Sequence, residues 1–195
     1  MKKMTLRQRQ AIETKTKIFT TAMDLFSKKT YESVTVQDIC TAAGVSVGAY
    51  YHHFKSKNDI IDVGYLLFDQ QTEEQFSEQS FDSTFQAVHF LIASQSTSIS
   101  SLGVIGCTQF YKQQLACENK YIINKDRFFY QSLYANIVKA IENEEIIGNA
   151  EEITNEILSA TRGLIYDWCL HDGSFSLPKK AEKMLLIIWT YYKKK

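Results

Sequence analysis

Residue types that do chemistry crowd into one short stretch. From Thr35 to Lys57 the chain reads TVQDICTAAGVSVGAYYHHFKSK, which brings Cys40, Tyr50, Tyr51, His52, His53, Lys55 and Lys57 together. Imidazole and thiolate are zinc ligands and the working pair of a cysteine nucleophile. Ammonium and imidazole beside phenols suit another task, holding phosphate. Spacing argues against the first two. The four cysteines, Cys40, Cys107, Cys117 and Cys169, form no CxxC pair, so reduced, mostly buried thiols are expected and no metal site is. Cys169 with His171, or Cys117 with a histidine brought near by folding, would be the pair of a Cys/His enzyme. Neither has a local signature, and no glycine-rich phosphate loop or framed carboxylate pair occurs. The chain is read as a non-enzyme with no cofactor.

Charge separates this stretch from the rest. Up to Lys57 ten basic residues face four acidic ones, about +6, which leaves about −6 on the remainder of a chain with formal net charge zero. A basic head on an acidic body points to a polyanion met by the head. At 195 residues, 45% of them hydrophobic, the chain can bury a substantial core in one or two domains. No apolar run approaches the roughly 20 residues that span a bilayer, and the start, MKKMTLRQRQ, has no apolar region behind its charges. A cytoplasmic protein without a membrane partner is expected.

The elements that must position these residues are helices. Proline is nearly absent and no β-branched alternation reaches a strand's length. Ile18, Ala22, Leu25 and Phe26 make one apolar stripe of a first helix ending near Lys29, with Thr14 or Thr16 as its cap. Thr35 can cap a second helix by accepting from the Asp38 N–H, and Val36, Ile39, Cys40 and Ala43 are its buried face. Gly44 suits the left-handed residue after that helix, and Ser46 can cap the next. The result is a short helix over about Val47 to His53, then Ser56 or Asn58 capping a longer one to about Ser77. This is a helix-turn-helix with its recognition helix second. Further helices are predicted at about 83–98, 103–118, 124–145, 150–171 and 178–193, with Gly148-Asn149 and Glu152 marking a stop and a new cap, and Pro178 in a first turn. The fold class is all-α with about nine helices: a three-helix DNA-binding head over 1–57 and a ligand-binding and dimerisation body over 58–195, joined by a helix without a hinge.

Thr35, Ile39, Ala43-Gly44-Val45-Ser46, Gly48, Tyr51, His53-Phe54 and Lys57, preceded by Ala22-x-x-Leu25-Phe26, resemble the DNA-binding head of the TetR/AcrR family of transcriptional regulators. Arg162 to Leu177 is similar to the C-terminal part of many members. The resemblance implies a homodimer in which a small ligand in the body releases the heads from an inverted-repeat operator in double-stranded DNA. It places His53 and Tyr51 at positions that touch phosphate or base. Lys57, at the start of the next helix, is expected on a phosphate. Gly48 lets the backbone approach the duplex, Val47 and Ala49 can touch a thymine methyl, and Gln37 can pair with an adenine edge. Thr35, Val36, Ser46 and Tyr50 complete the expected DNA-facing set. Ala49 stands where the family often has a hydroxyl, Tyr50 where it has a smaller aliphatic residue, and Thr30 where it has glycine.

The body is dense in aromatic residues, which suits a pocket with apolar walls and a few polar groups. His89, Gln109, Phe110, Tyr111, Tyr134 and Tyr166 are the expected lining, and a largely apolar effector the expected ligand. The last two helices are apolar on more than one side. Ile157, Thr161, Leu164, Trp168, Met184, Leu185, Ile188 and Tyr192 are therefore expected in an intersubunit four-helix bundle. The alternative is a DNA-binding regulator whose body docks a protein partner and senses no small ligand.

Overall fold

The computed structural model describes residues 5–118 and 120–194; Lys2 and Lys3 of the basic head lie outside them. Eight α-helices follow one another: α1 (Leu6–Lys28), α2 (Val36–Ala43), α3 (Val47–His53), α4 (Asp59–Ser77), α5 (Thr84–Ala116), α6 (Phe128–Glu142), α7 (Ala150–Leu170) and α8 (Leu177–Tyr192), with a 3-10 turn at Tyr121–Ile123. Among the described residues the one β feature is an isolated bridge between Ile146 and Lys193. The helices predicted at 83–98 and 103–118 are one element, α5, broken at Gly103, whose φ of 78° and ψ of 167° leave the helical region. Counting its two segments separately gives nine.

α1 starts earlier than expected. Thr14 and Thr16, the expected caps, both lie inside it, and the Thr14 hydroxyl donates back to the Gln10 carbonyl at 2.8 Å. α6 starts later, at Phe128. Asn124 accepts from the Asp126 N–H at 2.8 Å, and this local turn competes with helix over 124–127. α5 is long and apolar enough, by length and composition, to cross a membrane. A core helix of a soluble protein meets the same criterion, and α5 carries a hydroxyl-rich run from Ser96 to Ser101 before its break.

The chain divides into two compact units, Met1–Leu67 with Thr108–Tyr121, and Phe68–Cys107 with Ile122–Lys195. In the first, Ile18, Ala22, Phe26, Ile39, Cys40, Ala43, Tyr50, Phe54, Ile60 and Ile61 are buried. Gly64 on α4 makes room for two rings: a Cβ there would lie 2.4 Å from Phe110 and 2.8 Å from Phe19. In the second unit Val88, Leu91, Ile92, Phe129, Leu133, Ile137, Ile153, Ile157, Leu185 and Trp189 form the core of α5, α6, α7 and α8. Asn149 caps α7 by accepting from the Glu152 N–H at 3.0 Å, as the sequence predicts.

Candidate functional site

Three local devices aim α3. Thr35 and Asp38 form a reciprocal capping box: Thr35 Oγ1 accepts from the Asp38 N–H at 3.1 Å, and Asp38 accepts from the Thr35 N–H at 2.8 Å and from its hydroxyl at 2.6 Å. These bonds hold the Asp38 carboxyl below the usual aspartate range. Gly44 then takes φ 63° and ψ 40°, and Val45 N–H bonds back to Cys40 at 3.0 Å. This left-handed stop reverses the chain within two residues. Ser46 restarts it by accepting from the Ala49 N–H at 3.1 Å. After α3, Ser56 and Asp59 repeat the capping exchange, with Lys55 N–H on Asp59 at 2.7 Å and the Ser56 hydroxyl on Asp59 at 2.6 Å.

The inner face of α3 is anchored. Tyr50 is fully buried, stacks on Phe54 at 5.3 Å and donates its hydroxyl to the Ser56 carbonyl at 3.1 Å. Burial pushes this phenol far up. The expectation that Tyr50 faces DNA is therefore corrected: at the third position after Val47 it points into the head. The outer face carries Val47, Gly48, Tyr51 and His52, with Tyr51 53% exposed. Ala49 and Val36 are half-buried at its edges, and Gln37 is exposed with its amide 3.4 Å from the Thr41 hydroxyl. Thr35 and Ser46 are exposed, but their hydroxyls are committed to the caps.

Lys57 does not project outward. Its ammonium donates to the carbonyls of Tyr31 at 2.6 Å and Val34 at 2.9 Å and lies 4.2 Å over the Tyr31 ring. Burial lowers its pKa. Lys57 thereby staples the α1–α2 loop, because carbonyls brought there by the fold lie within reach of the flexible stem. Tyr31 completes that junction by donating to Asn58 at 2.5 Å, and burial raises its phenol to about 12.

Two cations missed by motif reasoning flank the outer face. Lys15 lies near enough to His53 to act on it, since burial first, then His52 and Lys15, hold the His53 imidazole below the usual histidine range. The Lys17 ammonium is 3.9 Å from where a Cβ on Gly44 would stand. Both belong to α1, far from the motif in sequence, and only their charge was visible there.

The expected effector residues are divided between the two units. Gln109, Phe110 and Tyr111 belong to the unit of the head, where Phe110 fills the space over Gly64. In the other unit His89 faces Glu182 at 3.5 Å, Tyr134 stacks on Tyr130, and Tyr166 is exposed. A cavity of about 230 Å³ in that unit lies elsewhere, among α5, residues 122–130 and α7, with Phe129 and Leu158 in its walls. Its polar groups come from the turn the sequence reading made helical, with Asn124, Lys125 and Arg127, and from α5 and α7, with Gln95, Asn155 and Arg162.

Of the expected dimer stripe, four residues are corrected to the core of the single chain. Ile157, Thr161, Trp168 and Leu185 are buried within the chain; the Thr161 hydroxyl bonds Ile157 and the Trp168 indole N–H bonds Phe175. Leu164, Ile188 and Tyr192 pack against the same core, and Met184 is half-buried. The most exposed large apolar residues of α7 and α8 are Tyr166, Leu170, Leu186, Ile187 and Tyr191. The four cysteines are free thiols, and no group of three metal-ligating side chains occurs among the described residues.

Comparison with known proteins follows this geometry. The family model described as "Bacterial regulatory proteins, tetR family" matches residues 18–63, which include all of α2 and α3. The HTH-type transcriptional regulator YerO of Bacillus subtilis is 43% identical over 49 residues, 25% of this chain and 17% of YerO. The chain thus matches less than a fifth of that relative's length. The HTH-type transcriptional repressor KstR2 of Rhodococcus jostii is 24% identical over 189 residues, 89% of this chain and 88% of KstR2. The structure of the transcriptional regulator FadR from Bacillus subtilis in complex with stearoyl-CoA superposes with a TM-score of 0.65 at 16% identity, covering 90% of this chain and 97% of FadR. At that identity the likeness is one of fold.

Proposed function

We propose that this chain, which belongs to the TetR family of bacterial regulators, is a transcriptional repressor that binds double-stranded DNA and is released from it by a small molecule. The observation that carries the reading is the division of α3 into two faces. Tyr50 and Phe54 are locked inward, while Val47, Gly48, Tyr51 and His52 are presented to solvent. Such a helix enters the major groove with its first residues on base edges. Lys15, Lys17 and Lys55 then supply charge for the phosphates on either side, and His53 a ring N–H to donate to one.

The outward face of α7 and α8, with Leu186, Ile187 and Tyr191 more than half exposed, supports a twofold dimer with a second copy of this chain. A twofold pair of heads reads an inverted repeat, with half-sites about 34 Å or a near multiple apart. Effector release is supported by the cavity and by α4, one continuous helix whose first residues belong to the unit of the head and whose last belong to the unit of the cavity. A coupling of about 1–3 kcal/mol changes DNA affinity by roughly 5- to 150-fold.

The test is fluorescence anisotropy with duplexes from the region upstream of the protein's own gene. An inverted repeat there should bind tightly, with affinity falling steeply with salt. Tyr51→Ala and Val47→Ala should weaken the specific duplex far more than a scrambled one. Equal affinity of the unaltered protein for both duplexes would end the reading.

A further inference from the structure

The four thiols are scattered along the sequence, yet the fold brings two of them together. Cys107 on α5 and Cys169 on α7 lie in the same unit, and their side chains share a hydrogen bond. The backbone around them agrees. Val104, one turn before Cys107, has its Cγ2 3.0 Å from where a Cβ on Gly173 would stand, and the Trp168 ring is 3.2 Å from the same point. The start of the second segment of α5 thus lies against the end of α7. We propose that Cys107 and Cys169 are an oxidation site, a thiol pair that a hydroperoxide closes to a reversible disulfide between α5 and α7.

The two sulfurs differ in access. Cys107 is fully buried and Cys169 half-buried. Burial pushes the Cys107 thiol far up, which keeps it protonated and inert until a partner sulfur is activated. Cys169 therefore reacts first. Its sulfur takes the outer oxygen of the hydroperoxide, the O–O bond breaks, and the thiol proton leaves with the remaining oxygen as an alcohol, or as water from hydrogen peroxide. Cys107 then attacks the sulfenic sulfur: the S–S bond forms, the S–O bond breaks, and hydroxide leaves with the Cys107 proton as water. Two thiols lose two electrons and the hydroperoxide gains them. The disulfide is shorter than the hydrogen bond it replaces. The backbone can give at Gly103, where φ 78° and ψ 167° already break α5 and a Cβ would meet nothing within 4 Å. Cys107 is also the last residue of α5 in its unit, and Thr108 is the first in the unit of the head. The disulfide thus acts on α5 where it passes between units, and on the regulator reading it changes affinity for DNA.

The test treats the full, reduced chain with hydrogen peroxide under native conditions, then alkylates it and digests it with trypsin. Cleavage after Lys57, Lys112, Arg162 and Lys179 leaves Cys107 in residues 58–112 and Cys169 in 163–179, apart from Cys40 in 30–55 and Cys117 in 113–120. The intact single chain should lose two hydrogens, residues 58–112 should be joined to 163–179, and dithiothreitol should restore both thiols. Cys107→Ala should stop at a sulfenic acid that dimedone traps on Cys169, and Cys169→Ser should leave Cys107 unmodified. No link, a link through Cys40 or Cys117, or oxidation only to sulfinic acid in the unaltered chain would overturn the site, whether or not the variants fold. Anisotropy with the inverted repeat is measured separately on the reduced and the linked chain, where a change of about fivefold or more is expected. Equal binding by both forms would overturn the effect of the disulfide on DNA affinity. A repeat bound by neither form would sink the regulator reading and leave the disulfide standing.

Discussion

Lys57 and Tyr31, 26 residues apart, are joined twice: the lysine ammonium bonds the tyrosine carbonyl at 2.6 Å and lies 4.2 Å over its ring. A cation held in this way organises the loop before α2. Lys57→Met should destabilise the head by about 1–2 kcal/mol, the worth of its hydrogen bonds to the two carbonyls. It should weaken DNA binding without changing the salt dependence. Lys17→Ala should do the reverse, lowering the slope of log affinity against log salt by about one while stability holds. Thermal melting and anisotropy at several ionic strengths separate the two.

Asp69 and Arg127 form the buried ion pair of the second unit, with bonds of 2.8 and 2.7 Å and both side chains less than a tenth exposed. Removing one partner leaves a buried charge alone, so Asp69→Ala or Arg127→Ala should cost about 3–5 kcal/mol in urea denaturation. Replacing both by apolar residues of similar volume should cost much less.

Gly64→Ala places a methyl against Phe110 and Phe19, where an ideal Cβ would be 2.4 Å from one ring and 2.8 Å from the other. Overpacking of this kind should destabilise the first unit by about 1–3 kcal/mol. Gly163→Ala, with nothing within 4 Å of its Cβ, should stabilise α7 by a few tenths to about 1 kcal/mol through helix propensity. Denaturation of the two variants side by side checks the contrast.

A charge on the outward face of α7 and α8 should dissociate the proposed dimer without unfolding the chain. Ile187→Glu is expected to sediment as a folded monomer, since Ile187 is 61% exposed. Leu185→Glu, at a fully buried position, should unfold instead. A monomer at micromolar concentration in the unaltered protein would remove the dimer.

His53 ties DNA binding to pH. Its native pKa lies below the ordinary value because burial, His52 and Lys15 disfavour the charged ring. Above about pH 6.5 the ring is neutral folded and unfolded, and His53 contributes no pH dependence. As pH falls through that value the unfolded chain takes up a proton that the native head resists, so stability declines. A phosphate beside the ring acts in the opposite sense and raises its pKa, so DNA affinity should increase between about pH 7.5 and 6. His53→Gln should flatten both dependences, in melting and in anisotropy.

The path from Thr35 to His53 was legible before any coordinates because its signals are local. A capping threonine three residues before an aspartate, a glycine that must take positive φ, and a serine that restarts the helix act within one turn of chain. The stop and cap at Gly148 and Asn149 were readable for the same reason. Neighbours in sequence decide such features, and the residue types name them.

Direction was not legible. Periodicity marks an apolar stripe but not what covers it: Ile157 and Leu185 were expected between subunits and lie in the core of one, while Ile187 and Tyr191 beside them face outward. Long flexible side chains are still less determined. The Lys57 ammonium goes to whichever acceptors the fold brings within reach, here the carbonyls of Tyr31 and Val34. Phe110 joins the head because α4 offers it a glycine at position 64. By itself the sequence determined an all-helical chain with a basic helix-turn-helix at its start, since hydrophobic period, caps and charge depend on near neighbours. Tertiary structure alone decided which face is buried, where the cavity opens and which cations remain at the surface, since these depend on packing between segments far apart in the chain.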